Sequence, residues 1–114
     1  MQLGAARALS EGAPWLETAR RSYAEAASLT ADALGIGRPA GGTFVFFDVA
    51  GARREGESTL DLLERCLDAG VLLTPGAACG AAYEAWVRLC FTSVRPEELE
   101  EALDRVAPLL RSPR

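Results

Sequence analysis

In a chain of 114 residues, the side chain whose chemistry stands out is Arg88, in the middle of Trp86-Val87-Arg88-Leu89-Cys90-Phe91. The residues around it alternate as in a strand, where a guanidinium is costly to bury without a partner. Its planar fork of donors matches a carboxylate through two parallel hydrogen bonds. Three readings are open from the pattern: an internal ion pair with Asp48 or Glu84, an edge strand that lets the group reach water, or a site for a ligand's carboxylate. Upstream stands Pro75-Gly76-Ala77-Ala78-Cys79-Gly80. This is either a turn between strands or a loop whose backbone comes close to a ligand or another chain. Cys79 reads as a passive small residue, because a reactive thiolate needs a base or a cation beside it and none is near in sequence.

Two absences bound the chemistry further. The chain has no His and no Lys, all 12 of its basic residues being Arg. A His-based triad, a His-ligated metal and a lysine Schiff base are each impossible within it, so no catalytic residue is assigned and any proton transfer must come from a partner. The three cysteines, Cys66, Cys79 and Cys90, show no CxxC spacing, so no metal site and no disulfide framework is expected. A net charge of -4 provides no basic field for nucleic acid or anionic membranes. The apolar stretches are too short to span a bilayer and no signal-peptide pattern opens the chain, so a cytoplasmic location is the expectation.

The elements that must position these residues follow from periodicity. Residues 5–34, rich in Ala, Leu, Glu and Arg, predict a short helix and then a longer one with Pro14 in its first turn. One face would carry Trp15, Ala19, Ala26, Thr30 and either Ala33 or Leu34, and Gly35 and Gly37 would end the helix. Thr43 to Val49 reads as a strand covered on both sides, since Val45 and Phe47 face one way and Phe44 and Phe46 the other. Ser58 with Asp61 is a capping-box start to a helix burying Leu60, Leu63 and Leu67 and ending at Gly70. Val71 to Thr74 and Trp86 to Thr92 are the remaining strands. A last helix from Pro96 buries Leu99, Leu103, Val106 and Leu110, with Pro108 expected to kink or fray its end. The order predicts one α+β domain: a small mixed or antiparallel sheet with helices packed on it.

Four stretches in register resemble a known family: Gly41-Gly42-Thr43-Phe44-Val45-Phe46-Phe47-Asp48, Asp68-Ala69-Gly70-Val71-Leu72-Leu73-Thr74-Pro75-Gly76, Val87-Arg88-Leu89-Cys90-Phe91, and Pro96-Glu97-Glu98-Leu99. They are similar, in order and spacing, to the C-terminal small domain of class I/II aminotransferases of the aspartate aminotransferase superfamily. The resemblance implies the small-domain fold of fold-type I pyridoxal-phosphate enzymes over residues 38–114, preceded at 1–37 by a helical segment of the kind that joins the two domains. It implies that Arg88 binds the α-carboxylate of an amino-acid or 2-oxo-acid substrate and that the loop with Pro75, Gly76, Cys79 and Gly80 lies near the active site. That loop in the family usually has an aromatic residue where this chain has Cys79. It implies pyridoxal 5'-phosphate as cofactor, held with its lysine by a large domain missing here, and a homodimer as the full enzyme. The chain alone is expected to be inactive. The alternative is a stand-alone α+β interaction or small-carboxylate-binding module.

Overall fold

The strands find one another through apolar alternation. The computed structural model describes residues 1–111. Helices α1 (Gln2–Glu11) and α2 (Ala13–Leu34) are followed by β1 (Phe44–Asp48), α3 (Thr59–Asp68), β2 (Thr74–Pro75), β3 (Trp86–Cys90) and α4 (Pro96–Leu110), with 3-10 turns at Ala50–Ala52, Gly76–Cys79 and Ala81–Tyr83. The strand order is β1-β3-β2, with both outer strands antiparallel to β3. Val45 lies opposite Leu89 and Phe47 opposite Val87, and all four are buried on one face. Against them pack Leu34 of α2, Leu62 and Cys66 of α3, and Leu99, Leu103 and Val106 of α4. This is the expected α+β class, with the helices against one side of an antiparallel sheet. Pro75 is compatible with β2 because an edge strand can spare a backbone donor.

Local signals account for the helix ends. Ser58 Oγ accepts from the Asp61 N–H while the Asp61 carboxylate accepts from the Ser58 N–H at 2.8 Å, closing the expected capping box. Just before it, Glu57 accepts from Arg65 Nε at 2.6 Å and Nη2 at 2.9 Å, a two-pronged pair that ties the entering loop to the helix. Pro14 sits in the first turn of α2 and Gly35 ends it, its N–H bonded to Ala31 O.

Five expectations need correction. The buried stripe of α3 is Thr59, Leu62, Leu63 and Cys66, whereas Leu60 and Leu67 are 61% and 53% exposed. The true stripe has i, i+3, i+4, i+7 spacing and includes a threonine and a cysteine, which a pattern of leucines alone passes over. Trp15 is 70% exposed, and α1 buries nothing. A 22-residue α2 is about 33 Å long, and strands of five residues span only about 17 Å, so the first half of the helix overshoots the sheet. Only its last part, with Thr30, Ala31 and Leu34 buried, reaches the core. β1 is covered on one side only, since Phe44 remains 45% exposed. Pro108 does not fray the last turn of α4, which continues to the buried Leu110, and the Arg111 N–H still bonds Ala107 O at 3.1 Å. The strand expected at Val71 to Thr74 pairs only at Thr74 and Pro75. No helix among the described residues is long and apolar enough to cross a membrane.

Candidate functional site

Alternation along β3 points Val87 and Leu89 into the core and turns Trp86, Arg88 and Cys90 to the sheet's other face, which no α-helix among the described residues covers. Register then supplies the neighbours. Phe46 and Thr74 lie directly opposite Arg88 from β1 and β2, and Phe44 lies on the diagonal, paired with Cys90. Arg88 Nη2 donates to Thr74 Oγ1 at 3.3 Å, and its Cζ sits 5.5 Å from the centre of the Phe44 ring, a cation–π distance. Next to this, Phe46, Tyr83 and Trp86 form an aromatic cluster with ring centroids 5.1 to 5.8 Å apart. The site is thus one half-buried guanidinium between an aromatic patch and the sheet edge.

The internal ion-pair reading of Arg88 fails among the described residues. Neither Asp48 nor Glu84 lies within ion-pairing distance of it, and Asp48 Oδ1 instead accepts from the Ala50 N–H at 2.6 Å, closing its own turn. A groove of about 440 Å³ runs from Thr74, Arg88 and Cys90 along residues 70–74 to the first turns of α4. Its carboxylates are committed elsewhere: Glu98 to the Arg95 guanidinium and N–H, each at 3.0 Å, and Glu101 to Arg105. The Arg95 side chain first, and its backbone N–H second, hold Glu98 below the ordinary glutamate range. Arg88 therefore faces the groove with a positive charge that no carboxylate among the described residues neutralises.

Cys90, also on this groove, has burial opposing its charged form. Hydrogen bonding from Thr92 and Ser93 outweighs that and lowers the thiol's pKa. At Cys66 in the core the same effect of burial prevails, and the thiol's pKa is raised. Among the described residues no group of His, Cys, Asp or Glu is placed to hold a metal ion.

The loop residues singled out from sequence divide into two groups. Pro75 pairs with Val87, and Gly76 is buried against β3, where an added Cβ would lie 2.7 Å from Trp86 Cβ and closer still to the carbonyl oxygens of Tyr83 and Trp86. Cys79 and Gly80 lie further out and exposed, Gly80 with φ +142, a backbone that favours glycine. None of these four residues lines the groove, and neither Cys79 nor Gly80 hydrogen-bonds to Arg88. Thr74, Phe44 and the aromatic cluster were not legible as partners of this site, because they meet Arg88 only through strand register.

The family model described as aminotransferase class I and II matches residues 1–106. An aromatic-amino-acid aminotransferase 2 from Thermococcus litoralis is 29% identical over 118 residues, covering 97% of this chain and 30% of that protein. An LL-diaminopimelate aminotransferase from Oleidesulfovibrio alaskensis is 45% identical over 56 residues, 48% of this chain and 14% of that one. Among solved structures, the aromatic aminotransferase from Pyrococcus horikoshii superposes with a TM-score of 0.80 at 29% identity over 93% of this chain and 29% of its own. LysN, an α-aminoadipate aminotransferase from Thermus thermophilus complexed with N-(5'-phosphopyridoxyl)-L-leucine, gives 0.69 at 31% over 90% and 28%. The chain spans less than a third of the length of each of these relatives. With the family model matched along nearly its whole length and the same fold in the solved relatives, the chain belongs to the class I and II aminotransferases.

Proposed function

We propose that residues 38–114 are the small domain of an aminotransferase that moves an amino group between an amino acid and a 2-oxo acid, with residues 1–37 as the helical segment leading into it. Arg88 is the clamp for the substrate's α-carboxylate. The observation that carries this reading is the guanidinium's situation: half-buried, braced by Thr74 and Phe44, beside a groove whose carboxylates are all paired with other arginines. A bidentate pair at such a place fixes the substrate's orientation, and orientation is where much of the barrier to a two-body reaction lies. Arg88 orients the substrate and does not move protons.

Aminotransferase chemistry draws on pyridoxal 5'-phosphate as an electron sink. The residues of this chain do not fit the role of its holder, because a covalent anchor requires a lysine and the sequence has none. The anchor, the phosphate-binding groups and the base therefore belong to a further, larger domain. The exposed Trp15, Leu16, Phe44 and Tyr83, with the half-buried Phe46 and Trp86 beside Tyr83, are consistent with surfaces covered by that domain and by a second subunit of a cytoplasmic homodimer. Pro75, Gly76, Cys79 and Gly80 form the loop beside the active site, with Gly76 holding the loop's start against β3. The test is Arg88→Ala in the full-length protein. KM for amino and oxo acids should rise at least about tenfold while the bound cofactor's absorption band stays unchanged. Unaltered kinetics would remove Arg88 from this role.

A further inference from the structure

We propose that Thr74 and Phe44 are positioning residues that leave Arg88 a single carboxylate-binding edge. This rests on the reading of Arg88 as the clamp. A guanidinium offers two edges with paired donors, one formed by Nε with Nη2 and the other by Nη1 with Nη2, and each uses a different hydrogen of Nη2. The Thr74 hydroxyl accepts one of those two hydrogens. One edge is therefore broken and the other remains whole, so an arriving carboxylate meets one two-pronged geometry instead of two. Phe44 supplies the second restraint. Its ring, 5.5 Å from Cζ, limits how far the guanidinium can tilt out of its place on the open sheet face.

Both partners are delivered by register. Thr74 is directly opposite Arg88 in the β2–β3 pair, and Phe44 is two pairs along in β1–β3, on the same face. Three strands thus converge on one side chain. The position of Thr74 is itself set by its neighbours, because Pro75 pairs with Val87 and Gly76 seats directly on the backbone of Trp86. The turn after β2 acts on the substrate through Thr74, without having to touch the substrate.

The test is a double-mutant cycle in the full-length protein, with a carboxylate-bearing amino donor as substrate. Thr74→Val keeps the side chain's shape and removes the acceptor. It should lower kcat/KM about fivefold to tenfold in the parent and have no effect when Arg88 is already Ala. Thr74→Ser, which restores the acceptor, should return to within about twofold of the parent. Phe44→Leu should act in the same direction as Thr74→Val and likewise lose its effect without Arg88. An equal loss from Thr74→Val in both backgrounds would show that Thr74 acts through the fold and would overturn the proposal. So would unchanged kinetics in Thr74→Val alongside a large loss in Arg88→Ala. If Arg88→Ala itself changes nothing, the clamp reading is what fails. Should Thr74→Val not fold, Thr74→Ala goes through the same cycle with the same criteria.

Discussion

Substituting Gly76 by Ala puts the geometry of the β2–β3 turn under direct test. The new Cβ would stand 2.7 Å from Trp86 Cβ, with the carbonyl oxygens of Tyr83 and Trp86 nearer still. Carbon atoms in contact rest about 3.5 to 4.0 Å apart, so the chain must open by roughly 1 Å. Two of the three obstructing atoms are backbone, and the third is the first carbon of a side chain engaged with Phe46 and Tyr83, so no flexible tip can swing aside. Overpacking of this kind costs about 3 kcal/mol. For a domain of this size that lowers Tm by on the order of 10 °C, measurable by circular dichroism or by urea titration of parent and variant side by side. Because β2 pairs through only two residues, the same displacement should also separate Thr74 from Arg88. Gly41→Ala is the control: nothing lies within 4 Å of an added Cβ there, and stability should change by less than about 0.5 kcal/mol. A Gly76→Ala variant as stable as that control would refute the close packing of this turn.

Two further outcomes follow from the core and the loop before α3. Thr30 is fully buried and its Oγ1 has no hydrogen-bond partner, so Thr30→Val should be neutral or stabilise by about 1 kcal/mol in urea unfolding. Glu57 has its carboxyl pKa lowered first by the Arg65 side chain and then by the Arg54 N–H. Its folded-state pKa lies below the unfolded one, so its contribution is present above the ordinary glutamate range and is lost as pH falls through the folded value. Acid unfolding of Glu57→Gln should accordingly show a smaller loss of stability between about pH 5 and pH 3 than the parent, and an identical loss would count against the pair.

Much of the architecture was readable one element at a time. The capping box at Ser58 and Asp61, the stripe of α4 and the alternation of β3 are each decided by residues close in sequence, and each appears where local chemistry puts it. The failures have a common cause in what lies outside the local window. Trp15 has the right spacing to be buried, but nothing in its own helix tells how far the sheet extends to meet it. Phe44 has an apolar side chain on a strand, yet the described residues provide no layer above it. Pro108 lacks a donor, but the burial of Leu110 carries the helix past it.

The candidate site divides along the same line. Arg88 stood out because a lone charge in an apolar strand is visible in one dimension. Whether Asp48 paired with it depended on Asp48 having a nearer backbone partner at Ala50. Thr74 carries no signal of its own, and it becomes relevant only when register sets it across from position 88.

The mounting of α2 has a mechanical consequence. Its last residues are buried in the core while its first half, preceded by α1, stands clear of the sheet, and the described residues extend 54 Å in their longest direction. A continuous helix rooted at one end behaves as a lever. The 13 residues Ala13 to Glu25 form an arm of about 20 Å, so turning the sheet by 10° would carry the far end roughly 3 Å. A small reorientation of the Arg88 face is thereby converted, through a rigid rod, into a displacement of atomic size at the opposite end of the molecule.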